Sequence, residues 1–172
     1  MNIRYKKLLF TVLGMVLCFF LFLLWYQYRY AMHVAQHITV NTINQETKLL
    51  IATQGSEFKN KVTEGIIQYF KTDSIYIEVI DITYLQEIDP RTFDAIVLIH
   101  TWENWKPPVE IKSFVERTTA YKHKIVVMTT SGEGTYKMNE VDAIVGESIL
   151  ENVPLVTNKI IAKIKLILES KE

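Results

Sequence analysis

Three short stretches of this chain carry residue types from which a binding site could be built. In Thr53-Gln54-Gly55-Ser56-Glu57-Phe58-Lys59-Asn60, hydroxyls, a glycine and a basic side chain stand together. There Thr53, Gln54, Gly55, Ser56, Lys59 and Asn60 could hold a phosphate, using backbone N–H groups and the positive end of a following helix. The second stretch, residues 100–108, puts Trp102 and Trp105 in one loop directly after Thr101, ahead of Pro107 and Pro108. Either indole could stack on a flat heterocycle. In the third, residues 129–136, the small residues Thr130, Ser131 and Gly132 would let a ring edge approach the backbone, and Tyr136 is a further stacking candidate.

Other chemistries find little support. No Ser-His-Asp order, cysteine nucleophile or spaced carboxylate pair presents itself, so hydrolysis has nothing to rest on. His33 and His37 share a helical spacing but have no third ligand nearby, and the one cysteine, Cys18, lies inside an apolar run. Plainer roles stand beside the chemical ones. Trp102 and Trp105 could equally cap a sheet or face a partner protein, and His100, at a strand end, reads as a structural histidine. Glu103, Lys106 and Glu133 read as solvated loop charges.

The elements that must position these loops follow from the hydrophobic period. Residues 48–53, 75–82, 95–99 and 125–128 read as strands, two of them continuous apolar runs of the kind covered on both faces. Helical spacing marks residues 59–71 and 158–168, and the segment after the paired prolines through Ile111, Phe114, Val115 and Thr118. Strands alternating with helices imply right-handed crossovers and a parallel sheet, hence an α/β doubly wound fold. In such a sheet ligands bind beyond the carboxyl ends of the strands, where all three loops would lie. Between residues 130 and 154 two readings compete. Met138, Val141, Ile144 and Val145 favour a short helix over 138–146 with an edge strand near 149–153; the alternative makes Ala143–Val145 itself a strand.

Ahead of this domain, residues 8–26 contain no charge and span roughly 28 Å as a helix, enough to cross the hydrocarbon layer. Trp25, Tyr26, Tyr28 and Tyr30 follow as an interfacial aromatic cluster. A cleaved signal peptide would need a shorter run and small residues after it, and Cys18 lacks the small residues that precede a lipidated cysteine. The segment is therefore read as a transmembrane helix contacting the lipid bilayer. It follows a basic flank at residues 1–7 and precedes a juxtamembrane spacer over 27–47 and a domain over 48–172. Arg4, Lys6 and Lys7 before the helix, against Arg29 after it, place the N-terminus in the cytoplasm and the domain outside. All 19 acidic residues lie from Glu46 onward. The domain is thus mildly acidic and lacks the basic face that nucleic acid requires.

The domain resembles flavodoxin and the flavodoxin-like FMN oxidoreductases over residues 48 to about 168. Residues 93–100 (FDAIVLIH), the loop to Pro107-Pro108 and the helix through Phe114 look like that family's third strand, isoalloxazine loop and following helix. Thr129-Thr130-Ser131-Gly132 looks like its next flavin loop. In the family's T/S-x-T-G-x-T phosphate loop, Glu57 falls at the glycine and Lys59 at the final threonine. A carboxylate there opposes a phosphate, while Lys59 and Ser56 could offset it. Residues 142–148 (DAIVGES) faintly resemble the D-A-V-[ST]-G-A-T motif of covalent FMN attachment, with Ser148 at the acceptor position; a chance match at an element's end explains them as well. The resemblance implies FMN held by the three loops, and electron transfer to a redox or membrane-protein partner. The altered phosphate loop implies the other possibility, a flavin-free flavodoxin fold used as an accessory or interaction domain.

Overall fold

A computed structural model describes residues 3–30, 32–138 and 141–170. The chain divides into two compact units, Met1–Met32 and His33–Glu172. The first is a single helix, α1 (Ile3–Tyr30). Over Ile3–Tyr26 its mean hydropathy is 2.7 and none of it is buried, so by length and composition it is able to cross a membrane.

The second unit is a six-stranded sheet with helices on both faces. Its strands are β1 (Ile38–Val40), β2 (Thr47–Thr53), β3 (Ile75–Asp81), β4 (Ala95–Thr101), β5 (Ile125–Thr130) and β6 (Ala143–Gly146), in the spatial order β1-β3-β2-β4-β5-β6. All neighbouring pairs are parallel except β1 with β3. From β2 the chain steps to one side for β3 and then to the other for β4. The strand order therefore reverses at β2 and β4, and a crevice opens beyond their carboxyl ends.

Alternation along the strands builds two cores. Leu49, Ile51, Val97 and Ile99 pack with α2 (Glu57–Phe70) and α4 (Val153–Glu169), through Val62, Ile66, Ile160 and Ile164. Leu50, Ala52, Ile96 and Leu98 pack on the opposite face with α3 (Val109–Arg117), through Ile111, Phe114 and Val115. Ser56 caps α2 by accepting from the Lys59 N–H, and Pro154 lies in the first turn of α4, where a missing N–H costs nothing. Phe114 O accepts from both the backbone N–H and the Oγ1 of Thr118, which closes α3.

Two sequence readings need correcting. The helix expected over 138–146 is not formed where residues are described: Ala143–Gly146 is β6, paired with β5 from Val127↔Ala143 to Thr130↔Gly146. Residues 139–140 lie outside the described residues. The edge strand expected near 149–153 is instead a 3-10 turn, Leu150–Asn152, leading into α4. The reason is tertiary. β5 is buried and needs a partner for its outer edge, and pairing lets Ile144 and Ala143 join opposite cores, which a helix would not. Segment 27–47, read as a spacer, is also largely structured. From His33 onward it belongs to the domain unit: His33 pairs with Gly55, the Ala35 N–H donates to Asp81 Oδ2 over 2.7 Å, and β1 extends the sheet.

Candidate functional site

The loops after β2, β4 and β5 meet at the carboxyl edge of the sheet, joined by a buried polar network. The Gln54 amide bridges the first two, with Oε1 accepting from the Thr101 N–H over 2.8 Å and Nε2 donating to Glu103 Oε1 over 2.9 Å. Lys59 points inward from the first turn of α2 and is fully buried. Its Nζ donates to Thr101 Oγ1 over 2.7 Å, and Thr101 Oγ1 pairs with Thr130 Oγ1 at 2.9 Å. Burial pulls the Lys59 amine down to about 8, against the opposing charge of Glu103. Beneath it, His100 is enclosed between Thr129 Oγ1 and the Thr101 carbonyl, and burial pushes its imidazole down to about 4. It is a structural histidine.

Although they touch, the loops line different cavities. Thr53, Gly55, Ser56 and Asn60 line a hollow of about 600 Å³ that they share with His33 and Glu57. Trp102, Trp105, Ser131, Gly132 and Tyr136 line a second one, of about 360 Å³, together with Glu133. Gln54, Lys59, Thr101 and Thr130 make the buried bridge connecting the loops.

At the first cavity, several N–H groups of the loop expected to hold a phosphate are already engaged. The Gly55 N–H donates to the His33 carbonyl over 2.6 Å, and the His33 N–H returns a bond to Gly55 O at 2.9 Å. The Gln54 N–H is spent on Ile99 O, and the Lys59 N–H on Ser56 Oγ. A Cβ at Gly55 would stand 2.6 Å from the His33 oxygen, so only glycine permits this approach. Glu57, beside it, pairs with Lys61.

At the second cavity the aromatics form a corner. Trp102 and Tyr136 lie nearly parallel, 9° apart with centroids at 6.0 Å, while Trp105 meets Tyr136 edge-on at 84° and 5.7 Å. Trp105 is presented by a tight hairpin closed by the Glu103–Lys106 bridge. Asn104 and Trp105 adopt φ of 48° and 64°, the left-handed pair of a type I′ turn. Glycine is the usual residue at the second of these positions, so Trp105 is held there at a conformational cost, with 79% of its surface exposed. Two buried polar atoms of residues that line this cavity, Trp102 Nε1 and Ser131 Oγ, make no hydrogen bond within the protein.

Sequence reasoning missed His33, whose carbonyl closes the Gly55 loop. No local signal could reveal a contact 22 residues away that is made through the backbone. Glu103, read as a solvated charge, binds Gln54. Asn104, a residue tolerant of the left-handed conformation, was the legible sign of the hairpin.

In comparisons with known proteins, no family model matches the chain and no curated protein does. Solved structures match it in fold. A metal-soaked flavodiiron core from Synechocystis superposes with a TM-score of 0.55 at 11% identity, covering 74% of this chain. The chain spans only 37% of that protein's length. General stress protein 14 from Treponema denticola, solved in complex with FMN, gives a TM-score of 0.35 at 15% identity, covering 69% of this chain and 79% of its own. The fold is flavodoxin-like, a mixed α/β sheet preceded by a long apolar helix.

Proposed function

We propose that this chain is a membrane-anchored flavodoxin-fold binding module, working without flavin and engaging its ligand or partner through the loops around Trp102, Trp105 and Tyr136. α1 is its anchor in the bilayer, and Arg4, Lys6 and Lys7 favour a cytoplasmic N-terminus with the domain outside. The partner is then a solute or surface component on that side, or another membrane protein.

The observation that carries this reading is the 2.6 Å bond from the Gly55 N–H to the His33 carbonyl. FMN in this fold would need phosphate donors and a ring slot in one crevice, and the residues present do not fit it. The glycine N–H is occupied, a carboxylate stands beside it at Glu57, and the two cavities are separate. A flat ring between two others needs them about 7 Å apart, twice a carbon contact of ~3.5 Å. Trp102 and Tyr136 are at most 6.0 Å apart.

A second reading, an FMN-bearing electron carrier at the membrane, is favoured by one observation: aromatic side chains and the unpaired Trp102 Nε1 and Ser131 Oγ stand at the carboxyl edge of the sheet. It requires the rings to part and His33 to release Gly55. The two readings separate on one measurement. Full-length protein extracted in mild detergent is mixed with FMN, and flavin fluorescence and visible absorbance are followed. A colourless protein with no saturable quenching is the expected result; stoichiometric uptake of FMN overturns the flavin-free reading.

A further inference from the structure

We infer that the corner formed by Trp102, Trp105 and Tyr136 beside Glu133 is a site for a small organic cation, a methylated ammonium that also carries an oxygen acceptor. This rests on the reading above, in which the corner is not a flavin slot.

Charge is the first argument. The faces of aromatic rings are electron-rich, and three rings line this cavity. Among the described residues, the one formally charged side chain lining it is the carboxylate of Glu133. Lys106 and Lys137, the nearest cations in sequence, are exposed and do not line it. The lining itself therefore favours positive charge; the Lys59 amine lies nearby, bonded to Thr101, but is not part of the lining.

Shape is the second. Trp102 and Tyr136 stack too closely to admit a flat ring between them, which leaves the space bounded by Tyr136 and the perpendicular Trp105. A corner of two ring systems at 84° suits a compact, rounded group that touches both. At about 360 Å³ the cavity is near the lower end of the size range for small-molecule sites.

Hydrogen bonding is the third. Trp102 Nε1 can only donate, and it has no partner; Ser131 Oγ, on a residue only 7% exposed, has none either. Both atoms expose almost no surface, so a hydroxyl, carbonyl or carboxylate oxygen beside the ammonium would satisfy them only as the loop side chains shift to admit it. The strained backbone of Trp105 is the fourth argument: a left-handed tryptophan is kept where glycine would be easier, as expected when the side chain itself is needed.

Such an ammonium could be a free solute or a trimethylammonium lipid headgroup, and the test separates the two. Full-length protein carrying Trp25→Phe, so that Trp102 and Trp105 report alone, is held in a maltoside detergent at constant ionic strength. It is titrated with choline and with 3,3-dimethylbutan-1-ol, the uncharged molecule of the same shape. Saturable fluorescence change with choline, at least tenfold weaker with the alcohol, is expected. Glu133→Gln should weaken choline several-fold, and Trp105→Ala, an exposed position where folding is not at stake, should weaken it tenfold or more. Equal response to choline and the alcohol, or none to choline at 100 mM, overturns the proposal. Given binding, a short-chain phosphatidylcholine at least tenfold tighter than choline assigns the site to lipid headgroups, and equal or weaker binding assigns it to solutes. Failure here with no FMN uptake leaves the flavin-free reading standing; FMN uptake overturns that reading and this one together.

Discussion

Lys59 Nζ donates to Thr101 Oγ1 over 2.7 Å, tying the first turn of α2 to the carboxyl end of β4. The amine lies fully buried at the point where the strand order reverses. The chain thus places its own cation at the heart of the edge where a fold of this type receives ligands.

Burial of that amine makes stability depend on pH. Its folded value of about 8 lies below the ordinary 10.5, so between these limits the unfolded chain holds a proton that the folded chain has shed. Stability contributed by this group therefore rises with pH through the window, by about 3 kcal/mol in total. Urea unfolding from pH 7.5 to 10.5 should show this rise relative to Lys59→Met, which keeps the volume and removes the charge. Parallel profiles for the two proteins would refute the assignment.

His100 acts in the acid range. Held near 4 by burial, with a smaller push from the Lys59 charge, it stays neutral in the fold while the unfolded imidazole protonates near 6.5. Its contribution is whole above 6.5 and is lost as pH falls toward 4, again about 3 kcal/mol. His100→Asn should be less stable than the parent at pH 7, and the gap should narrow by pH 4.5. A gap that stays constant across that range would mean the histidine does not titrate as described.

The approach of His33 to Gly55 leaves no room for a side chain. Gly55→Ala forces a methyl to 2.6 Å from a backbone oxygen and should cost about 1–3 kcal/mol. Amide exchange should reveal where: the His33 and Gly55 N–H groups, protected in the parent, exchange faster in the variant, while the centre of β4 is unchanged. Undiminished protection at His33 would show that the contact is not what orders the segment.

For α1, the expectation is integral membrane behaviour. The protein should remain with membranes through alkaline extraction, and removal of residues 3–30 should release it. Cys18, exposed on the helix surface, should resist an impermeant maleimide until detergent is added. A reporter active only in the cytoplasm, fused after residue 172, should be silent; activity would reverse the orientation.

Much of this protein could be read without coordinates, because period and apolar content are local properties. The strand cores at 48–53, 95–99 and 125–128 and the apolar helix near the N-terminus follow from where hydrophobic residues recur, and the alternation of strand and helix dictates a parallel sheet. The fate of residues 143–146 does not follow, since Ile144 and Val145 suit a helix and a strand equally; the open edge of β5 decides between them. The same holds for the site. The residue types in the three loops are visible in the chain, but the closure of Gly55 by His33 depends on a backbone contact across the fold. Nor could spacing tell that Trp102 and Tyr136 would lie face to face at 6.0 Å. Sequence determined most of the elements, through local burial and propensity; tertiary packing decided the strand at 143–146 and which donors and faces the elements leave free.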